Sequence, residues 1–247
     1  AAPGAPPLLD LDGQAVRWLP SRLAVENLVT MWQATGFGRA LWNSLLVGSV
    51  STAACLVIAV PAAYAAARLR FAGRGPFRLL LLVTQMLSPV VLVLGIFRLV
   101  AWLGLIDRPG ALILTYTAFN LAFSIWMLQS FFAAIPREIE EAAWLDGAAW
   151  WQSLVLVFLP IAAPAVAVTA IFCFVASWNE FVLALTLLRT AESATLPLRI
   201  FTLVGGAYRI EWHHVMAATL IATLPAAIVF AWLQRWLVRG LSLGAVK

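Results

Sequence analysis

Residues 41–67 read LWNSLLVGSVSTAACLVIAVPAAYAAA, a run of 27 residues without a single charge. A bilayer core of about 30 Å needs roughly 20 apolar helical residues to cross it, so this stretch is long enough to span. Four more segments meet the same test: about Leu79–Leu103, Ala111–Ile135, Ile161–Leu188 and Val215–Val238. The rest of the 247-residue chain agrees. It is 63% hydrophobic and only 11% charged, with a mean hydropathy of +0.94, whereas soluble domains are closer to half apolar and a quarter charged. These values exclude intrinsic disorder and argue against a soluble enzyme. The fold class expected is an all-α polytopic membrane protein with five visible spans, several of them kinked by Pro61, Pro89, Pro164 and Pro225.

The connections set the orientation. Arg68, Arg70, Arg74 and Arg78 crowd the short link after the first span, which the positive-inside rule places in the cytoplasm. Alternation then puts Asp107-Arg108 outside, residues 136–160 inside, residues 189–214 outside and the C-terminus inside. Residues 1–40 form an expected extracytoplasmic segment ahead of a transmembrane domain at 41–247. The segment has mixed polarity, holds four prolines and contains no span of its own, so a further span is expected ahead of Ala1. The +5 net charge is almost all arginine, because Lys247 is the only lysine. No basic stripe interleaves with aromatic residues, so no nucleic-acid partner is expected.

Several chemistries are excluded by counting. A P-loop needs GxxxxGK[ST], and Lys247 ends the chain. A zincin helix needs HExxH, and the two histidines, His213 and His214, are adjacent; they read as polar residues at a membrane boundary. The two cysteines, Cys55 and Cys173, make neither a disulfide framework nor a CxxC metal site. No GxSxG elbow is present. Neither a cofactor nor a metal is expected in this chain, and any ATP–Mg would be bound by a partner. Arg98 is expected to snorkel toward the interface, Asn43, Gln85 and Asn120 to bridge helices, and Trp42, Trp102, Trp212 and Trp236 to belong to an interfacial belt.

The most informative link is Ile135–Pro160, IPREIEEAAWLDGAAWWQSLVLVFLP. Pro136 opens a helix whose first turns carry Glu138, Glu140 and Glu141, where the helix dipole favours negative charge. Ala142 and Ala143 allow a partner to approach the backbone closely, and Gly147 permits a sharp turn. A second short helix, Ala148–Phe158, leads to Pro160. The spacing Glu141-Ala142-Ala143, three residues, Gly147, nine residues, Val157, one residue, Leu159-Pro160 resembles the EAA motif of permease subunits of binding-protein-dependent ABC importers, with Val157 where isoleucine is usual. Leu41-Trp42-Asn43-Ser44-Leu45, Ala62-Ala63-Tyr64, Gln85-Met86, Trp178-Asn179-Glu180-Phe181 and the ending Gly240–Lys247 are similar to the carbohydrate branch of that family, in particular the second permease subunit of maltose-type importers.

The resemblance implies a type I ABC importer permease in a bacterial inner membrane, usually with six spans and both termini cytoplasmic. It implies that Glu141, Ala142, Ala143, Asp146 and Gly147 form a coupling surface for a cytosolic ABC ATPase dimer. Glu141 would meet an ATPase arginine, and Leu159-Pro160 would set the start of the next span. It further implies a second, related permease subunit, a surrounding membrane lipid phase and an extracytoplasmic solute-binding protein contacted by residues 189–212, with Gly205 and Gly206 as flexible points. Within the fourth apolar segment, Asn179 and Glu180 are candidates for the translocation path; Glu180 alternatively hydrogen-bonds a structural neighbour. A secondary transporter and a membrane-embedded enzyme are the competing classes.

Overall fold

The computed structural model describes residues 29, 31–32, 36–205 and 212–244, and side chains are not described for residues 205, 213 and 232–244. Most of the expected extracytoplasmic segment, Gly206, and the terminal residues 245–247 therefore lie outside the described residues. The described chain is helical: α1 (Phe37–Arg68), α2 (Arg74–Met86), α3 (Pro89–Trp102), α4 (Pro109–Ala134), α5 (Arg137–Leu145), α6 (Trp150–Ile161), α7 (Ala163–Asn179), α8 (Val182–Leu187), α9 (Leu196–Gly205) and α10 (Trp212–Gly244). No strand occurs among the described residues.

Three helices are long enough and apolar enough to cross a bilayer: α1, α4 and the His214–Ala231 part of α10. The expected second and fourth spans are instead bent pairs. Helices α2 and α3 meet at 100°, and α6 and α7 at 81°, so the count reaches five only if each pair is one broken span. The first break follows from Pro89, which stands in the first turn of α3 and holds Ser88 extended (φ −70°, ψ 134°). Pro164 stands likewise in the first turn of α7. Pro61 and Pro225, by contrast, sit inside unbroken helices. The chain passes through Leu159-Pro160 without a break. Helix α6 runs through Pro160 by widening into a π turn at Ser153–Phe158, which relieves the clash of the proline ring with the preceding turn, and the chain bends at Ala162.

Helix α1 is the spine, packing most extensively on α4 and then on α7. Its Ser51, Cys55, Ala59, Ala63 and Ala67 recur every fourth residue and are all buried, a seam of small side chains that lets backbones approach without leaving voids. Hydroxyl, thiol and amide groups bridge across it. Thr117 Oγ1 donates to the Ser51 carbonyl (3.3 Å). Asn120 Nδ2 donates to Ser177 Oγ (3.2 Å), which also accepts from Ser51 (3.2 Å). Ser124 lies 3.3 Å from Cys55 and 3.0 Å from Cys173, neither of which is in a disulfide. Asn120 thus bridges helices as expected. Gln85 does not: its amide bonds the Leu81 carbonyl of its own helix. Trp42, Trp102 and Trp212 are exposed, as a belt requires, and the Trp236 side chain lies outside those described.

At the end of α4 remote from residues 135–160, the chain is clasped by Asp107, which takes a positive φ of 62°. Its carboxylate accepts from the backbone N–H of Arg189 (2.8 Å) and Thr190 (3.1 Å) and from the Ser193 hydroxyl, while its own N–H bonds the Leu187 carbonyl (2.9 Å). The same connector is held to α1 by Asn43, which donates to the Glu192 and Ala194 carbonyls, and by Ser44, which accepts from Leu196 N–H. The Arg189 N–H, then the Ser193 hydroxyl, stabilise the charged form and hold the Asp107 carboxyl well below the usual carboxylate range. A depressed folded-state value means the stabilisation is present at neutral pH and is lost as pH falls below about 4, where the unfolded residue protonates. Asp107→Asn keeps an acceptor oxygen without the charge. The difference in melting temperature between wild type and this variant is therefore expected to be flat from pH 8 to pH 5 and to shrink toward pH 3, as read by thermal unfolding in detergent.

Candidate functional site: the loop between α4 and α6

Helix α4 stops where the sequence requires it. Ile135 precedes Pro136 and is extended (φ −69°, ψ 132°), which turns the chain out of the bundle into α5. That helix ends in a Schellman arrangement: Gly147 adopts φ 83°, Ala148 N–H reaches the Ala143 carbonyl and Gly147 N–H the Trp144 carbonyl, both at 3.0 Å. The sharp turn expected at Gly147 is present. Gln152 Oε1 then accepts from Ala149 N–H (2.8 Å) and starts α6.

The three acids of α5 separate by helical phase. Glu138 and Glu141 are exposed, whereas Glu140 turns into the bundle and is buried. There it accepts from Tyr64 Oη (2.6 Å) and faces Arg68 Nε at 3.7 Å, with both charged side chains about 95% buried. The Arg68 guanidinium donates to the carbonyls of Phe132 (2.7 Å) and Ile135 and lies 5.0 Å over the Phe158 ring. Tyr64, Phe132 and Phe158 pack edge to face around it. So α1, α4, α5 and α6 are joined at one charged point, a group of residues that the sequence reading had used only for topology or loop polarity. A cue was present in the pairing of an acid with an arginine at two adjacent membrane exits, but the helical phase that selects Glu140 was not.

The expected coupling residues lie on the outer side of this fastening. Glu141, Ala142, Asp146 and Gly147 are exposed and Ala143 is half-buried; Leu159 is half-buried and Pro160 exposed on α6. Among them stands Leu145, 89% exposed, with Trp144 beside it at 50%. The loop is thus a rigid bracket with a small, acidic and apolar outer face.

Asn179 and Glu180 are brought to a different place, near the remote end of the bundle. Glu180 interrupts the apolar helix: α7 ends at Asn179, and the Glu180 carboxylate accepts from Leu183 N–H (2.9 Å), Ala184 N–H (3.2 Å) and Tyr116 Oη (2.8 Å). It caps α8 and ties it to α4. Asn179 is exposed and, with Trp178, Phe181, Phe201, Thr219 and Thr223, lines a groove of about 500 Å³ between α7, α9 and α10. Of the expected exterior contact region, residues 189–205 and 212 are described; of the expected flexible point, Gly205 ends α9 and Gly206 lies outside the described residues.

Two outcomes follow. Glu140→Ala strands Arg68 without its buried counter-charge and is expected to lower stability by about 3–5 kcal/mol, whereas Glu141→Ala leaves it within about 0.5 kcal/mol; thermal unfolding of the two variants separates them. At Gly147 an added Cβ meets nothing within 4 Å, so Gly147→Ala is expected to destabilise the turn by about 1 kcal/mol through its backbone alone, read as faster amide exchange confined to α5 and its C-terminal turn.

The profile of the family described as "Binding-protein-dependent transport system inner membrane component" matches residues 57–243. The diacetylchitobiose uptake system permease protein DasC of Streptomyces coelicolor is 36% identical over 98% of this chain and 87% of its own length. The trehalose/maltose transport system permease protein MalG of Thermococcus litoralis is 36% identical over 85% of this chain and 76% of its own. A chain in the crystal structure of a bacterial ABC transporter involved in the import of the acidic polysaccharide alginate superposes with a TM-score of 0.75 at 24% identity, over 88% of this chain and 81% of that one, and this likeness speaks for the fold. The relatives are named as permeases rather than enzymes. With the family profile covering most of its length, the chain belongs to the inner-membrane permease components of binding-protein-dependent transport systems.

Proposed function

We propose that this chain is a membrane subunit of an ATP-driven importer of a sugar or related polar solute, and that residues 136–160 are its cytoplasmic coupling loop. The observation that carries the reading is the division of α5: one face is locked into the bundle through Glu140 and Arg68, and the other offers Glu141, Ala142, Leu145 and Asp146 to a partner. A loop so fastened moves with α1, α4 and α6 instead of folding away when pushed. Glu141, Ala142, Ala143, Asp146 and Gly147 supply the contact to a cytosolic ABC ATPase dimer that carries the ATP–Mg. Leu159 and Pro160 pass the displacement to the bend at Ala162.

The sugar assignment draws on relatives named for diacetylchitobiose and for trehalose and maltose. A similar fold has been crystallised with an alginate-bound periplasmic protein, which supports an extracytoplasmic solute-binding partner on the side of residues 189–212. A second, related permease subunit completes the pathway, with this chain's C-terminus in the cytoplasm of a bacterial cell. Asn179 faces the path from its groove, and Glu180 fixes the helix break that presents it. Alternating access follows if nucleotide binding draws the loops together and the binding protein favours the outward-open state, since a partner shifts an equilibrium only through differential affinity.

The test is the reconstituted complex with its ATPase and binding protein. Glu141→Lys and Leu145→Ala are each expected to lower binding-protein-stimulated ATP hydrolysis about tenfold or more, as loss of a central contact does, while the isolated ATPase keeps its basal rate. Solute uptake at full rate by this chain without any ATPase would overturn the proposal.

A further inference from the structure

Where α1 leaves the bundle, the positive charge exceeds what the protein neutralises. A recess of about 290 Å³ is lined by Arg68, Leu69, Arg70, Arg137, Glu140, Glu141 and Trp144, three arginines against two carboxylates. Arg68 and Glu140 are committed to each other. Arg74 is committed to the Ala66 and Ala67 carbonyls (both 2.8 Å) and Arg78 to the Ala66 carbonyl (3.1 Å), so both cap the C-terminus of α1. Arg70 and Arg137 have no hydrogen-bond or ion-pair partner among the described residues; Glu141 pairs with neither. The like charges of Arg78, Arg137 and Arg70 all bear on Arg74. Two guanidiniums with unused donor forks therefore share one small recess with Glu141 and an exposed indole, and their donors are open to an anion from outside the protein.

We propose that this recess binds the phosphate of an anionic phospholipid headgroup, gripped by Arg70 and Arg137 beside Trp144. A guanidinium fork matches phosphate oxygens bidentately. The position favours a lipid over an acidic protein side chain. The recess opens at the end of a membrane-spanning helix, and Leu69 and Phe71, followed by Leu79 and Leu80 on α2, are exposed apolar neighbours along which acyl chains can lie. The bare Leu145 is at the opposite end of α5 from Arg137, while Glu141 and Trp144 of the recess adjoin the coupling face. Basic recesses between membrane helices are suited to such headgroups, each arginine contributing about a fivefold gain in affinity. The inference requires only that the chain sits in a bilayer and does not depend on which side the loop faces.

The test is native mass spectrometry of the complete transporter released from nanodiscs of phosphatidylcholine containing a minor fraction of phosphatidylglycerol. Wild type is expected to retain one more phosphatidylglycerol per copy of this chain than Arg70→Ala/Arg137→Ala, with apparent affinity about 25-fold lower in the double variant and about fivefold lower in Arg70→Gln or Arg137→Gln alone. Arg98→Ala, which removes an exposed arginine from α3, is expected to retain the lipid as wild type does. The single variants decide the matter if the double variant fails to assemble. Equal retention by all variants overturns the proposal. So does loss of the ATPase subunits with lipid retained, which would assign the arginines to a protein contact, and so does displacement of the lipid by millimolar inorganic phosphate, which would assign the recess to a free anion.

Discussion

A buried charge pair in low dielectric is costly unless each member finds partners, and the contact of Arg68 with Glu140 is where this molecule answers that constraint. Three groups surround the pair: Tyr64 donates to the carboxylate, the Phe132 and Ile135 carbonyls at the C-terminal end of α4 accept from the guanidinium, and the Phe158 face covers it. An apolar contact would hold the same helices together but would tolerate sliding. Charged groups with directional partners fix the position of α5 relative to α1 and α4, and with it the direction in which Leu145 and Glu141 point.

The same economy appears at the breaks in the apolar helices. A freed backbone group inside a membrane must find a partner within the protein. At Glu180 the carboxylate replaces the missing carbonyls for two N–H groups of α8 and takes a third bond from Tyr116. At Pro160 the helix widens instead of breaking, and the bend is postponed to Ala162. At Ser88-Pro89 the extended residue before proline turns the chain by 100°. Three local solutions to one solvation problem give a bundle that is bent where it is satisfied.

Much of this was legible in the sequence. Composition and run length gave the membrane class, Ile135-Pro136 and Gly147 bounded the projecting helix, and the spaced EAA residues resembled the family that the comparisons bear out. Geometry that depends on distant partners was not legible. A proline in an apolar run reads the same at Pro61, where the helix continues, as at Pro89, where it breaks, because neighbouring helices decide between the two. Glu140 and Glu141 differ by one position, about 100° of helical phase, and only packing shows which turns inward. Arg74 and Arg78 read as topological charge, yet they also close the end of α1, since the link that brings them back is only a few residues long. Residues 135–160 were therefore recognisable as a projecting site, while the anchor that stiffens them was not.

The seam of small residues along α1 has a mechanical corollary. With Ser51, Cys55, Ala59, Ala63 and Ala67 pressed against α4, with Arg68 pinned at one extremity and Asn43 and Ser44 holding the connector at the other, the 32-residue helix behaves as a strut about 48 Å long. A rotation of about 5° at the pinned extremity swings the other by about 4 Å, farther than the reach of a hydrogen bond. Under the proposed coupling, leverage of this kind would turn a small push at the base of the molecule into the making or unmaking of polar contacts on its far surface, with no need for any helix to stretch or unwind.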